Sequence, residues 1–175
     1  ESMFTFYKNK IIGSYGDVSS YSFENSKHLS SGEGGIVTTN NKNLAINLRK
    51  LSNHGFINLN ESSGSLKFKK QDLLDSNFKR HDEIGWNYRL SEFQAAVALA
   101  QLENSVKLVE LRKKSAEIFI EKINKYDEIF KLQKFDKKKH LHSYWALPIL
   151  YFENNLVESL KFKRKFIEFG GDIIR

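Results

Sequence analysis

The 175-residue sequence has no cysteine. That excludes disulfide scaffolds, thiolate zinc sites and thiol nucleophiles. Proline occurs once, at Pro148. No apolar run approaches the ~20 residues of a membrane span, and no secretory leader pattern opens the chain. The expectation is a soluble, cytoplasmic protein. The ends carry no terminal character: the first residue is Glu1, not methionine, and the last three are Ile173, Ile174 and Arg175. A piece of something longer is expected.

What is present is ordinary globular composition, 40% hydrophobic and 28% charged, enough for one to one and a half domains with a core. Lysine and arginine number 28 against 21 aspartate and glutamate, a net charge of +7. The positive charge is dispersed; its densest runs are Lys137–Lys139 and Lys161–Lys165, the latter broken by Phe162. This describes solvated faces better than a nucleic-acid footprint, and a basic nucleic-acid-binding module is the distant alternative.

Along the chain, residues 1–23 read as short strands and turns, with a strand over Ser19–Phe23. Gly32-Glu33-Gly34-Gly35 is a loop, and Ile36–Thr39 reads as a buried strand. Asn40-Asn41 offers a cap to a helix carrying Leu44, Leu48 and Leu51, with Gly55 as its C′ residue. Residues 56–84 are polar and aperiodic, too long for a mere connector and therefore functional or mobile. Ser91-Glu92-Phe93-Gln94 fits a capping box, and the helix it opens carries Phe93, Ala96, Val97, Ala100 and Leu102. A second helix carries Leu108, Leu111, Phe119, Ile120 and Ile123. Residues 134–140 mark a boundary, His142–Tyr151 reads as a strand, and 155–169 as an amphipathic helix. The order implies an α/β protein continuing into a smaller α+β segment.

Chemistry-bearing motifs are sparse. There is no HExxH, Walker loop or GxGxxG, and His28, His54, His81, His140 and His142 have no metal-ligand spacing, so no metal is expected. One stretch differs. Lys27 follows an apolar strand, among Ser22, Ser26, Ser30 and Ser31, and glycines close the segment. A lysine near a partly buried strand end can act as a neutral amine nucleophile, and serine hydroxyls can donate to a phosphate. The same features suit a surface lysine in a serine-rich turn, and residue chemistry alone favours that plainer reading.

Several co-linear motifs change the balance. Gly16-Asp17, Tyr21-Ser22-Phe23, Lys27 and Gly32-Glu33-Gly34-Gly35 are followed by His54-Gly55. Then comes Gly85-Trp86-Asn87-Tyr88-Arg89-Leu90-Ser91-Glu92-Phe93-Gln94-Ala95-Ala96, with Gln101-Leu102 and Arg112 after it. Over residues 1–165 the chain resembles the DegT/StrS group of nucleotide-sugar aminotransferases, which use pyridoxal 5′-phosphate (PLP). The resemblance implies an α/β fragment of a fold-type I PLP-transferase of the aspartate aminotransferase kind. Residues 1–104 would be the C-terminal part of the large domain, and 105–175 an incomplete small α+β domain.

It also implies roles. Lys27 would bond PLP as a Schiff base and then act as the base that moves a proton to and from the substrate carbon. Ser22 would hydrogen-bond the cofactor phosphate, and Asn87 would reach across a homodimer interface to the partner's phosphate. Arg89 would bind an acidic substrate group. Glu1-Ser2-Met3 matches the tail of the motif that holds the pyridine nitrogen, whose acidic residue would lie about three positions upstream. The implied reaction moves an amino group from glutamate to a nucleotide-linked keto-deoxysugar, for a polysaccharide or glycoconjugate. Lysine at 27 speaks against the sugar dehydratase branch, where histidine takes that place; His28 is one residue out of register. An inactive or regulatory fragment is the other alternative, and this chain by itself is expected to be inactive.

Overall fold

The computed structural model describes residues 3–57, 68–153 and 155–172. Glu1 and Ser2, to which the pyridine-nitrogen motif was assigned, lie outside the described residues.

The chain opens with a hairpin that local sequence barely signals. β1 (Phe6–Tyr7) and β2 (Lys10–Ile11) pair antiparallel around Lys8-Asn9, whose φ values of 47° and 61° make a two-residue turn of the primed kind that matches strand twist. β1's other edge is taken by a strand from far along the chain, β6 (His140–Leu141), with Phe6 opposite Leu141 and Tyr7 opposite His140. Lys8 N–H donates to the Lys139 carbonyl at 2.7 Å, extending the contact.

β3 (Ser19–Ser22) and β4 (Gly35–Thr38) form a second antiparallel pair, with Ser22 opposite Gly35. Strand β4 lies where a buried strand was expected, but every residue of it is exposed. Among the described residues this sheet has two strands, and Ile36 and Val37 remain about half exposed because nothing there covers them.

Helix α1 (Lys42–Ser52) starts at Asn41, whose side-chain oxygen accepts from the N–H groups of Asn43 and Leu44, satisfying two otherwise orphaned donors. Its end corrects the reading of Gly55. Asn53 is the C-cap and His54 holds the left-handed C′ position at φ 56°; Gly55, one further on at φ 71°, returns its N–H to the Lys50 carbonyl at 2.8 Å. The His54 N–H goes instead to the Trp86 carbonyl, at 2.9 Å. Glycine is needed at 55 because a β-carbon there would collide with the Glu83 carbonyl.

The described parts of the long polar stretch are tied down. Short helix α2 (Lys70–Leu74) lies within it, and Phe56, Phe68, Phe78 and His81 form a ring cluster with centroids 4.5–5.9 Å apart. Lys50 also pairs with Asp82.

Helix α3 (Glu92–Glu103) begins at Ser91, whose hydroxyl oxygen accepts from Gln94 N–H. The second half of the expected capping box is replaced: the Gln94 side chain oxygen accepts from the Ser91 hydroxyl, and its amide donates to the Glu33 carbonyl at 3.1 Å. No residue of α3 is buried, although the helix is apolar on most sides. Helix α4 (Ser105–Ile123) follows at once and buries Ser105, Val109 and Ala116.

Beyond α4, β5 (Phe130–Leu132) pairs antiparallel with β7 (Ile149–Tyr151), and α5 (Leu156–Glu168) packs Phe162 on Phe130 and Tyr151 at 5.6 and 4.7 Å. The strand expected over His142–Tyr151 is therefore only its last three residues, and Pro148 precedes it. Residues 142–148 are irregular, with Tyr144 at φ 51°, because this stretch turns inward: Ser143 is 1% exposed. The small core, Phe23, Leu29, Val109 and Ala116, sits where the loop after β3, helix α4 and this inward bend converge.

Candidate active site

The loop joining β3 to β4, residues 23–34, carries Lys27. It is closed at its base by Phe23 N–H to the Gly34 carbonyl at 2.8 Å and Ser31 N–H to the Phe23 carbonyl at 3.0 Å. Phe23, His28 and Leu29 anchor it in the core. With His28 and Leu29 buried just after it, Lys27 is presented from a fixed ledge and its side chain is 16% exposed. A plain solvent-facing turn would leave it far more open.

Three consecutive residues of this ledge are each held from a distant part of the chain. The Ser26 carbonyl accepts from the Trp145 indole N–H at 3.0 Å. The Lys27 carbonyl accepts a long contact from the Arg112 guanidinium at 3.4 Å. His28 Nε2 donates to the Ser143 carbonyl at 3.0 Å. Lys27 Nζ itself stands 4.4 Å from the centroid of the Trp145 ring and 3.9 Å from Glu24 Oε2.

The electrostatics follow from these contacts. Glu24 takes hydrogen bonds from the Ser26 hydroxyl and backbone N–H, with the Lys27 charge beside it, so its carboxyl is held below the usual range. Burial pushes His28 below the usual histidine value, with the Arg112 charge adding to it and the Ser143 bond opposing. His28 Nδ1 has no hydrogen-bond partner among the described residues, as suits a neutral ring with its proton on Nε2. Burial also lowers His142 and raises Tyr144.

Ser22 ends β3 on the same loop; its Oγ accepts from Glu24 N–H at 3.1 Å, and the side chain is exposed with an O–H to donate. Asn87 and Arg89 form a separate pair, Arg89 Nε donating to Asn87 Oδ1 at 2.9 Å, both exposed. Their strip is docked on α1's end by the Tyr88 N–H to Ser52 carbonyl bond and by a bridge between Asn87 and Asn53. It also meets the glycine run after Lys27. A β-carbon on Gly34 would stand 2.6 Å from Leu90 Cδ1, and Gln94 bonds Glu33. The structure thus brings the two halves of the motif set into contact, Ser22 with Lys27 on the loop and Asn87 with Arg89 on the abutting strip.

Trp145, Ser143 and His28 were not singled out for this site in the sequence, and Arg112 was noted without a role. Trp145 and Ser143 lie more than 110 positions from the ledge and carry no local signal. His28 was legible only as Lys27's neighbour.

Lys27, the Ser22 hydroxyl and the glycine run thus stand on one loop in a mixed α/β frame. A sequence model of the DegT/DnrJ/EryC1/StrS aminotransferase family matches residues 1–169, and the chain belongs to that family. It is 34% identical over 144 residues to GDP-perosamine synthase of Escherichia coli O157:H7, covering 82% of this chain and 34% of that protein. It is 31% identical over 158 residues to UDP-4-amino-4,6-dideoxy-N-acetyl-beta-L-altrosamine transaminase of Campylobacter jejuni (strain 81-176), covering 88% and 38%. Among solved structures, the E. coli GDP-4-keto-6-deoxy-D-mannose-3-dehydratase with bound hydrated PLP superposes with a TM-score of 0.79 at 23% identity, over 97% of this chain and 43% of that one. The aminotransferase from Psychrobacter cryohalolentis gives 0.78 at 21%, over 95% and 43%. These two likenesses show the fold. The chain spans roughly a third to two-fifths of the length of the curated relatives described here.

Proposed function

We propose that these residues work within a PLP-dependent transaminase that moves an amino group from glutamate to the keto carbon of a nucleotide-linked deoxysugar, in polysaccharide or glycoconjugate biosynthesis. The observation that carries this reading is Lys27, a largely covered lysine on a ledge fixed from three sides, in a chain of this family. The residues present fit the cofactor. Lys27 offers an amine for its aldehyde, and Ser22 an exposed hydroxyl for its phosphate. Glycine at 35 lets β4 close against β3 beside Ser22: a β-carbon there would stand 2.7 Å from the Tyr21 carbonyl.

When bound, PLP supplies an electron sink for the carbon being deprotonated. The chain's part is positional. Lys27 Nζ holds and returns the proton at the substrate carbon, and Ser22 donates to the phosphate. Arg89 binds an acidic group of the substrate, and Asn87 serves the phosphate of a neighbouring subunit in a homodimer. Support for a partner comes from the strip's surface: Ile84, Trp86, Tyr88 and Phe93 are 58–88% exposed, more apolar area in one place than a lone subunit usually shows. The proposed division at Asn104, where α3 meets α4, puts the cofactor ledge in residues 1–104 and a smaller α+β domain in 105–175. Among the described residues no helix is long and apolar enough to cross a membrane, and no group of three potential metal ligands is found.

The dehydratase alternative needs a histidine in the lysine's role. His28 is 5% exposed and turned onto the Ser143 carbonyl, which supports a structural part for it. The deciding experiment is substitution of Lys27 by alanine in the enzyme that carries these residues. Amination of a nucleotide-linked ketosugar is expected to disappear; an unchanged rate rejects the transaminase reading.

A further inference from the structure

We propose that Trp145 is a positioning residue for Lys27: its indole N–H fixes the loop that carries the amine, and its ring fixes where the amine nitrogen stands. This rests on the reading of Lys27 as the cofactor-binding lysine.

Lysine has four rotatable bonds, so a rigid ledge alone leaves Nζ free to sweep a wide arc. Glu24 and Trp145 are two of the groups beside it. Glu24 reaches it only at 3.9 Å, and its carboxylate is already engaged by Ser26 N–H and hydroxyl at 3.0 and 2.6 Å. Trp145 presents a flat face 4.4 Å away, over which a cation can rest without a single required direction. The same side chain holds the Ser26 carbonyl one residue before Lys27, so loop and nitrogen are referred to one rigid group. The ring closes one side of Nζ, and an aldehyde carbon must come from the other. Trp145 therefore selects the side from which the amine can be reached.

The ring is held in turn. Its segment is pinned by Ser143, whose hydroxyl bonds Thr5 Oγ1 at 2.8 Å and whose carbonyl takes the His28 bond. The device thus ties the lysine ledge to residues that sequence order places in the smaller domain.

Two measurements test it. In the first, the whole enzyme freed of PLP is reductively methylated with ¹³C-formaldehyde and cyanoborohydride, which puts two methyl groups on each lysine Nζ; K27R identifies the Lys27 signal. The ring current of Trp145 displaces that signal upfield of the other lysine methyls. W145L returns it to the common position, and W145F keeps it displaced. In the second, the whole PLP-loaded enzyme is reduced with borohydride. The Lys27 amine and the PLP aldehyde have lost one water to form a C=N bond. Hydride adds to its carbon, water protonates the nitrogen, and the pyridoxyl-Lys27 peptide is quantified by mass spectrometry at limiting PLP.

W145L is expected to lower that yield about fivefold with circular dichroism unchanged, and W145F, which keeps a ring over Nζ but loses the indole N–H to Ser26, to fall between W145L and wild type. A W145L yield equal to wild type overturns the proposal, as does a Lys27 signal at the common position in the wild-type enzyme. If W145L does not fold, a displaced wild-type signal with a W145F yield between wild type and background supports it, and a W145F yield equal to wild type or as low as the background at other lysines overturns it. Absence of pyridoxyl-Lys27 from the wild-type enzyme is a different failure: it rejects Lys27 as the cofactor lysine and takes the proposal with it.

Discussion

His28 Nε2 lies 3.0 Å from the carbonyl oxygen of Ser143, a residue 115 positions away, and both residues are buried. The bond locks the ledge beside Lys27 to the inward bend of residues 142–148. Burial of the His28 ring, which this bond only partly offsets, makes the fold sensitive to acid. Burial holds the folded-state value of His28 below that of an unfolded histidine, with Arg112 and His142 adding like charge. The unfolded chain therefore takes up its proton first as pH falls. Stability is fully present above the ordinary histidine value of about 6.5 and declines as pH drops through the window beneath it, levelling once the folded form also protonates. His142, lowered by burial, contributes in the same direction. Urea denaturation at pH 8 and pH 5.5 is expected to show lower stability at the lower pH. H28N is expected to narrow that difference; an unchanged difference in H28N would place the acid sensitivity elsewhere.

Leu29 is 2% exposed and is one of only a few fully buried side chains among the described residues. Replacing it with alanine removes apolar contact beneath the lysine ledge and leaves a cavity, with an expected cost of about 2–5 kcal/mol. The urea midpoint at pH 8 measures this. A loss under about 1 kcal/mol would mean that the small core does not carry the ledge.

Gly55 and Gly170 both have positive φ, 71° and 84°, but different surroundings. A β-carbon on Gly55 meets the Glu83 carbonyl, whereas around Gly170 there is open space. Gly55→Ala is therefore expected to destabilise by clearly more than Gly170→Ala, whose cost is the left-handed backbone alone, about 1 kcal/mol. Thermal melts of the two variants compare them directly; equal shifts would contradict the close packing at the end of α1.

Phe93 is 88% exposed at the start of α3, a helix that buries none of its residues. If this strip faces a second subunit, sedimentation of the whole enzyme gives twice the subunit mass, and F93D shifts it toward monomer. A monomeric wild-type enzyme would remove the proposed role of Asn87 in a partner's site.

Much of the architecture was legible where local chemistry decides it. Asn41, Ser91 and Asn155 cap helices whose apolar spacing was already visible, and Ser22 and Lys27 share one loop because β-rich runs flank a serine- and glycine-rich segment. What escaped was non-local. β1 and β6 are two residues each and are defined by pairing across more than 130 positions. Residues 142–151 read as a strand, yet burial of Ser143 and the reach of Trp145 to Ser26 bend most of them out of one. Burial of Ile36 and Val37 was inferred from their apolarity, but the two-stranded sheet has no cover within the described residues. The candidate site shows the same division: Lys27 was singled out and Arg112 noted without a role, whereas Trp145 and Ser143, which also hold the ledge, carried no signal.

The most direct test of the account is borohydride reduction of the PLP-loaded enzyme followed by peptide mapping. The account predicts a pyridoxyl group on Lys27 in the wild type, and neither the adduct nor ketosugar amination in Lys27→Ala. A cofactor adduct at any other lysine, or amination that survives in Lys27→Ala, would contradict it.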